Sequence, residues 1–136
     1  MIDAGQRALY SGASHRLVKL AEVTATPVIT TLNGKSAFPE DHALALGTGA
    51  RSRRATVDHF LSRADFILGT GTSFTHSDYI TAMPAEVPLA QVTSDRADIG
   101  KCYPTSFGAI GDAKLTIDQL LRVFRRKPPN RARSRP

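Results

Sequence analysis

The chain predicts an α/β domain, an open parallel Rossmann-like sheet flanked by helices, and three observations carry that prediction. Short apolar runs of strand length alternate with longer segments of helical periodicity. The connections are short, which favours right-handed crossovers between parallel strands. Glycine-bearing turns follow the apolar runs at Gly5, Asn33-Gly34, Gly69-Thr70-Gly71 and Gly111, where open α/β sheets place their ligands. At 136 residues and 41% apolar, the chain is one domain, large enough for a single core.

Met1 to Ala4 reads as a strand stub, closed by Gly5-Gln6 as a strand-to-helix turn. Ser11 or Ser14 caps the helix that follows, whose apolar face is Leu17, Leu20 and Ala21, with Arg16, Lys19 and Glu22 outward. Pro27 ends that helix, and Val28 to Leu32 reads as a buried strand. Asn33-Gly34 then turns the chain with positive φ, and Phe38-Pro39 enforces extended backbone. Asp41, His42, a second short apolar run and Gly47-Thr48-Gly49 complete a connection so constrained that it is either functional or a tightly packed structural loop.

Arg51-Ser52-Arg53-Arg54 opens a second helix, with Ala55, Phe60, Leu61 and Ala64 as its buried side, and this basic cluster reads as a solvated helix start rather than a phosphate site. Asp65 to Leu68 is a strand that runs into Gly69-Thr70-Gly71-Thr72. Residues 73–87 mix helical and loop signals. Leu89 to Val92 is a strand ending at Thr93, Arg96 to Lys101 makes at most one helical turn, and Ser106 to Ile110 is the last strand. Strands are thus expected near 28–32, 65–70, 88–93 and 106–111, besides the stub at 1–4. Asp112 caps a closing helix in which Leu115, Ile117, Leu120, Leu121 and Phe124 recur at helical spacing, and Pro128-Pro129 ends it. The domain is therefore 1–127, followed by a basic, disordered tail at 128–136.

The formal charge of +6 belongs to the C-terminal stretch from Arg122 onward. Seven basic and no acidic residues lie from Arg122 onward, leaving eleven basic against twelve acidic before it, so nucleic acid is not expected as a partner. Cys102 is the single cysteine, which excludes an internal disulfide and fits a cytoplasmic protein. Asp3 and Arg7 interrupt the N-terminus, and no apolar run is long enough for a signal peptide or membrane span. His42 beside Asp41, or His76 near Asp78, could serve acid–base chemistry. Four scattered histidines need no such role, and neither a nucleophile turn nor metal-ligand spacing is present.

Thr30-Thr31-Leu32-Asn33-Gly34-Lys35-Ser36-Ala37-Phe38-Pro39-Glu40-Asp41-His42, with Leu44 and Gly47, resembles the central domain of thiamine-diphosphate-dependent enzymes, above all the acetolactate synthase-like branch. Ala64-Asp65 with Gly69 to Phe74, then Asp95 with Ala97 to Lys101, then Gly111 to Lys114, follow in that family's order, so the resemblance spans roughly residues 4–124. It implies that the first strand is truncated, because an apolar strand precedes the Gly5 turn in the family. It also implies a crevice that holds FAD in acetolactate synthase-type members and an adenine nucleotide such as ADP in some relatives, while others leave it empty. The cofactor-binding residues carried over are Gly5, Gly69, Gly71, Thr72, Asp95 and Ile99, with Asp95 toward the ribose and the Gly71–Thr72 amides toward phosphate.

The chain departs from the family at Arg7, where a second glycine is common, at Thr93, where many members carry an acid, and through Thr75-His76-Ser77-Asp78. Nucleotide affinity is accordingly expected to be poor, down to a vestigial cleft. The family anchors thiamine diphosphate and magnesium through a Gly-Asp-Gly segment and paired asparagines in another domain; here the asparagines are Asn33 and Asn130, and Gly111-Asp112 is followed by Ala113. The family's cofactor-activating glutamate also lies elsewhere. The resemblance thus implies a structural or nucleotide-holding central domain, inactive alone, whose partners are the missing pyrimidine- and diphosphate-binding domains and, in isolation, a second copy as a homodimer. The alternative is a free-standing adenine-nucleotide-binding module.

Overall fold

Aliphatic strand residues alternate between two covered faces in the computed structural model, which describes residues 1–49 and 54–127. In chain order the elements are β1 (Ile2–Ala4), α1 (Gln6–Tyr10), α2 (Ser14–Thr24), β2 (Val28–Thr30), β3 (Ala45–Thr48), α3 (Arg54–Leu61), β4 (Ile67–Thr70), β5 (Leu89–Thr93), β6 (Phe107–Ile110) and α4 (Ala113–Arg126). The strands form one sheet in the order β3-β2-β1-β4-β5-β6, and every pairing is parallel. β1, expected as a stub, is central: Asp3 lies between Ile29 of β2 and Gly69 of β4. The strand order reverses between β1 and β4, which makes that boundary the switch point where an open α/β sheet forms its crevice.

One face buries Ile2, Ala4 and Val28 against Leu17, Leu20 and Ala21 of α2 and Ile117 and Leu121 of α4. The other buries Ile29, Ile67 and Leu89 against Val57 and Leu61 of α3, with Phe74 and Met83 from the connection after β4. Asp112 closes the N-terminus of α4 as expected, its Oδ1 accepting the Leu115 amide at 3.0 Å. Among the described residues, no helix is long and apolar enough to cross a membrane.

Several local expectations change. β2 stops at Thr30 because Gly34 N–H bends back to Thr31, reaching its carbonyl at 3.1 Å and its Oγ1 at 3.0 Å, and Leu32 is left exposed. Positive φ falls at Ser36, not at Asn33 or Gly34; Gly34 is required for space instead, since a Cβ there would sit 2.6 Å from the Ala4 carbonyl oxygen. The apolar run after His42 is a sixth strand, β3, disguised in sequence by Gly47 at φ 84° and by a register shift against β2. A short helix, α1, precedes the expected one and is separated from it at Gly12 (φ 67°): Ser11 Oγ donates to the Ala8 carbonyl, Ser14 is already helical, and neither caps α2. α3 buries Val57 and Leu61, an i, i+4 pair, so Ala55 and Phe60 face outward. β4 begins at Ile67, two residues later than expected, with Phe66 beside Phe107 at the surface. The basic cluster at 51–53 and the tail from 128 lie outside the described residues.

Candidate functional site

The turns leaving β1 and β4 are built into one another. Gly5 N–H donates to the Thr70 carbonyl at 2.9 Å, Arg7 N–H to the Gly71 carbonyl at 3.1 Å, and Gly71 N–H to the Val92 carbonyl at 2.8 Å. A Cβ on Gly5 would stand 2.3 Å from the Gly71 oxygen, and one on Gly71, whose φ is +64°, 2.2 Å from the Ala8 nitrogen. Each glycine is therefore demanded by the other turn's backbone. Gly69 makes room for the Phe74 ring, whose atoms would lie 2.2 Å from an added Cβ. Phe74 itself has φ 49°, a bulky residue in the left-handed region, held there by burial and by its amide's bond to Thr72 Oγ1 at 3.2 Å.

A polar cluster closes the β5 side of the crevice. Arg7 Nη1 donates to the buried Asp98 carboxylate and, at 3.1 Å, to Thr93 Oγ1. Thr93 Oγ1 also reaches Asp98 Oδ2 at 3.3 Å. Gln91, fully buried in β5, donates from Nε2 to the Thr72 and Asp98 carbonyls at 3.2 and 3.0 Å, while its Oε1 accepts the Gly100 amide at 3.2 Å. This amide ties the loop after β4 to the 3-10 turn Arg96–Asp98. Asp95 is exposed, and its Oδ1 caps that turn by accepting the Ala97 amide at 2.9 Å.

On the β2 side lies a cavity of about 460 Å³, walled by the ends of β1, β2 and β4 and by residues 72–83, with Tyr103 across them. At its edge is Asp3, 3% exposed, whose Oδ1 is without a hydrogen-bond partner among the described residues. Burial alone pushes the Asp3 carboxyl up to about 7. Thr81, which lines the same cavity, also has a buried hydroxyl without a partner. Tyr103 is braced from behind: its Oη accepts the Met83 amide at 3.2 Å and meets His76 Nδ1 at 3.2 Å.

The sequence-predicted site residues divide accordingly. Gly71 and Thr72 line the cavity; Gly5 and Gly69 lie packed behind them. Asp95 and Ile99 do not line it, and Ile99 packs over Gly108 of β6. His42 bridges the Leu44 amide (3.1 Å) and Glu22 (3.3 Å) and so pins the loop before β3; His76 holds Tyr103 and the Cys102 carbonyl. Sequence reasoning overlooked Asp3, Gln91 and Asp98 as site residues. The available signal was an acid at a strand position two residues before Gly5.

Residues 1–120 match the family described as the thiamine pyrophosphate enzyme central domain. The probable acetolactate synthase large subunit of Methanocaldococcus jannaschii is 36% identical over 125 residues, covering 89% of this chain and 21% of that protein. The acetolactate synthase of Mycobacterium avium is 32% identical over 117 residues, covering 83% of this chain and 18% of that protein. Among solved structures, a Mycobacterium smegmatis protein assigned as a thiamin diphosphate-dependent enzyme superimposes with a TM-score of 0.75 at 25% identity, over 100% of this chain and 26% of its own. The chain spans about a fifth of the length of the curated relatives it matches.

Proposed function

Because the chain belongs to the thiamine pyrophosphate enzyme central-domain family, we propose that it is the structural central domain of a thiamine-diphosphate-dependent 2-oxo acid carboligase or decarboxylase of acetolactate synthase type. In this reading the domain is residues 1–127 with a basic tail at 128–136, works in the cytoplasm beside pyrimidine- and diphosphate-binding domains, and forms a homodimer when isolated. Thiamine diphosphate, held with magnesium by those other domains, supplies the electron sink for 2-oxo acid chemistry. This chain's residues contribute scaffold. Exposed Phe107 and Ile110 on the β6 edge support a contact surface there.

The observation that carries the non-catalytic reading is how the crevice's polar groups are engaged. The Gly71 amide bonds Val92, the Arg7 guanidinium bonds Asp98 and Thr93, and the Asp95 carboxylate caps its own turn. A diphosphate of FAD or ADP would need that amide and that cation, and it would approach Asp3. The residues present therefore do not suit that group, and the cleft is read as vestigial for nucleotide.

Two measurements test this. Pure protein with thiamine diphosphate, magnesium and pyruvate is expected to form no acetolactate; formation would overturn the structural reading. Calorimetry with FAD, ADP and NAD is expected to show no heat of binding, whereas tight binding would favour a free-standing nucleotide module.

A further inference from the structure

We propose that the cavity at the β1–β4 switch point binds a small organic cation bearing N–H donors, an amidine or primary amine, with Asp3 as its carboxylate partner. Asp3 and Thr81 both line the cavity, and each has a buried oxygen, Asp3 Oδ1 and Thr81 Oγ1, without a partner among the described residues. Buried polar atoms of folded proteins are almost always paired, so a pair of orphans on one cavity marks where a ligand's donors belong. At about 460 Å³ the space has the size of a small-molecule site, roughly 300–1,000 Å³. Tyr79 and Tyr103 add ring surface suited to a cation.

The sign of the ligand's charge follows from the surroundings. Asp3 is flanked by Ile29 and Gly69, and neither β2 nor β4 offers it an ionisable group. Among the described residues, the cavity's other ionisable side chains are Arg7, Tyr79 and Tyr103, with His76 behind Tyr103. Arg7 is neutralised by Asp98, and the Met1 ammonium donates to the Phe66 carbonyl at 2.7 Å. Among the described residues Asp3 thus lacks a countercharge, which an incoming cation would supply; an anion would meet either a carboxylate or an already paired arginine. The elevated titration of Asp3 agrees, since desolvation is its whole cause. This inference stands apart from the thiamine-enzyme reading and can fail without it.

The test is calorimetry of the full chain with benzamidine, with its anionic counterpart benzoate and with ADP, for the wild type and Asp3→Asn. Benzamidine is expected to bind the wild type, more tightly at about pH 8 than at about pH 6, because only ionised Asp3 pairs with it. Asp3→Asn is expected to lose roughly a hundredfold in affinity. On the wild type alone, carbon NMR is expected to show the Asp3 titration moving down when benzamidine saturates the site. Absence of benzamidine binding, unchanged affinity in Asp3→Asn, an unmoved Asp3 titration, or tighter binding of benzoate or ADP would each overturn the proposal.

Discussion

Two buried carboxyl groups stand on either side of the switch point, and the fold treats them differently. Asp98, in the 3-10 turn after β5, has Arg7 and Thr93 on its Oδ2, and its backbone carbonyl is held by Gln91. Asp3, in the middle of β1, has an oxygen with no partner among the described residues. A buried charge paired and hydrogen-bonded is part of the scaffold; one left alone shifts its titration and destabilises the ionised native state. The pairing of Asp98 removes Arg7 from the crevice's supply of cations. Among the described residues, none supplies a cation to Asp3 on the other side.

The largest effect should come from the turns that carry both carboxyls. Gly71→Ala would place a methyl 2.2 Å from the Ala8 nitrogen at a φ of +64°. It is expected to lower unfolding stability by more than about 3 kcal/mol, or to abolish folding, in a urea titration. A near-neutral result would show that the two turns are not interlocked.

Asp98→Asn should come next. It leaves Arg7 without its countercharge, but the Arg7 side chain is 38% exposed, so the loss is expected to be about 2 kcal/mol rather than the ~3–5 of a fully buried pair. Arg7→Met should be worse than Asp98→Asn, because it strands the more deeply buried partner; the reverse order would break the comparison. Asp95→Ala removes a cap on an exposed 3-10 turn and should cost no more than about 1 kcal/mol. It should also leave any ligand affinity unchanged. The proposed homodimer is checked by sedimentation, where a clean monomer would remove it.

Much of this architecture could be read before the structure. Apolar runs separated by glycine turns located β1, β2, β4, β5 and β6, because a parallel sheet buried on both faces writes itself as short continuous aliphatic segments. β3 escaped because its four residues are only half-buried and Gly47 interrupts the strand pattern with positive φ. The short helix α1 before Gly12 and the outward faces of Ala55 and Phe60 escaped for a related reason: short helices obey tertiary packing before local periodicity. The crevice itself was legible from the glycines, but not its chemistry. Asp98 and Gln91 act through contacts with Arg7 and Thr72, 91 and 19 residues away. Which of two acids near a strand end is paired and which is orphaned is decided by such distant partners.

The most direct measurement is the pH dependence of unfolding free energy for the wild type and Asp3→Asn. Asp3 is raised from 3.8 to about 7 in the folded chain, so between those values the native state holds a proton that the unfolded state has released. Stability from this group therefore falls as pH rises from about 4 to about 7 and stays low above it. Asparagine removes that penalty. Asp3→Asn is expected to be more stable than the wild type at about pH 8, by at most ~4 kcal/mol, with the gap narrowing steadily toward about pH 4. A variant less stable than the wild type at about pH 8, or a gap independent of pH, would mean that Asp3 is paired after all and contradict the account.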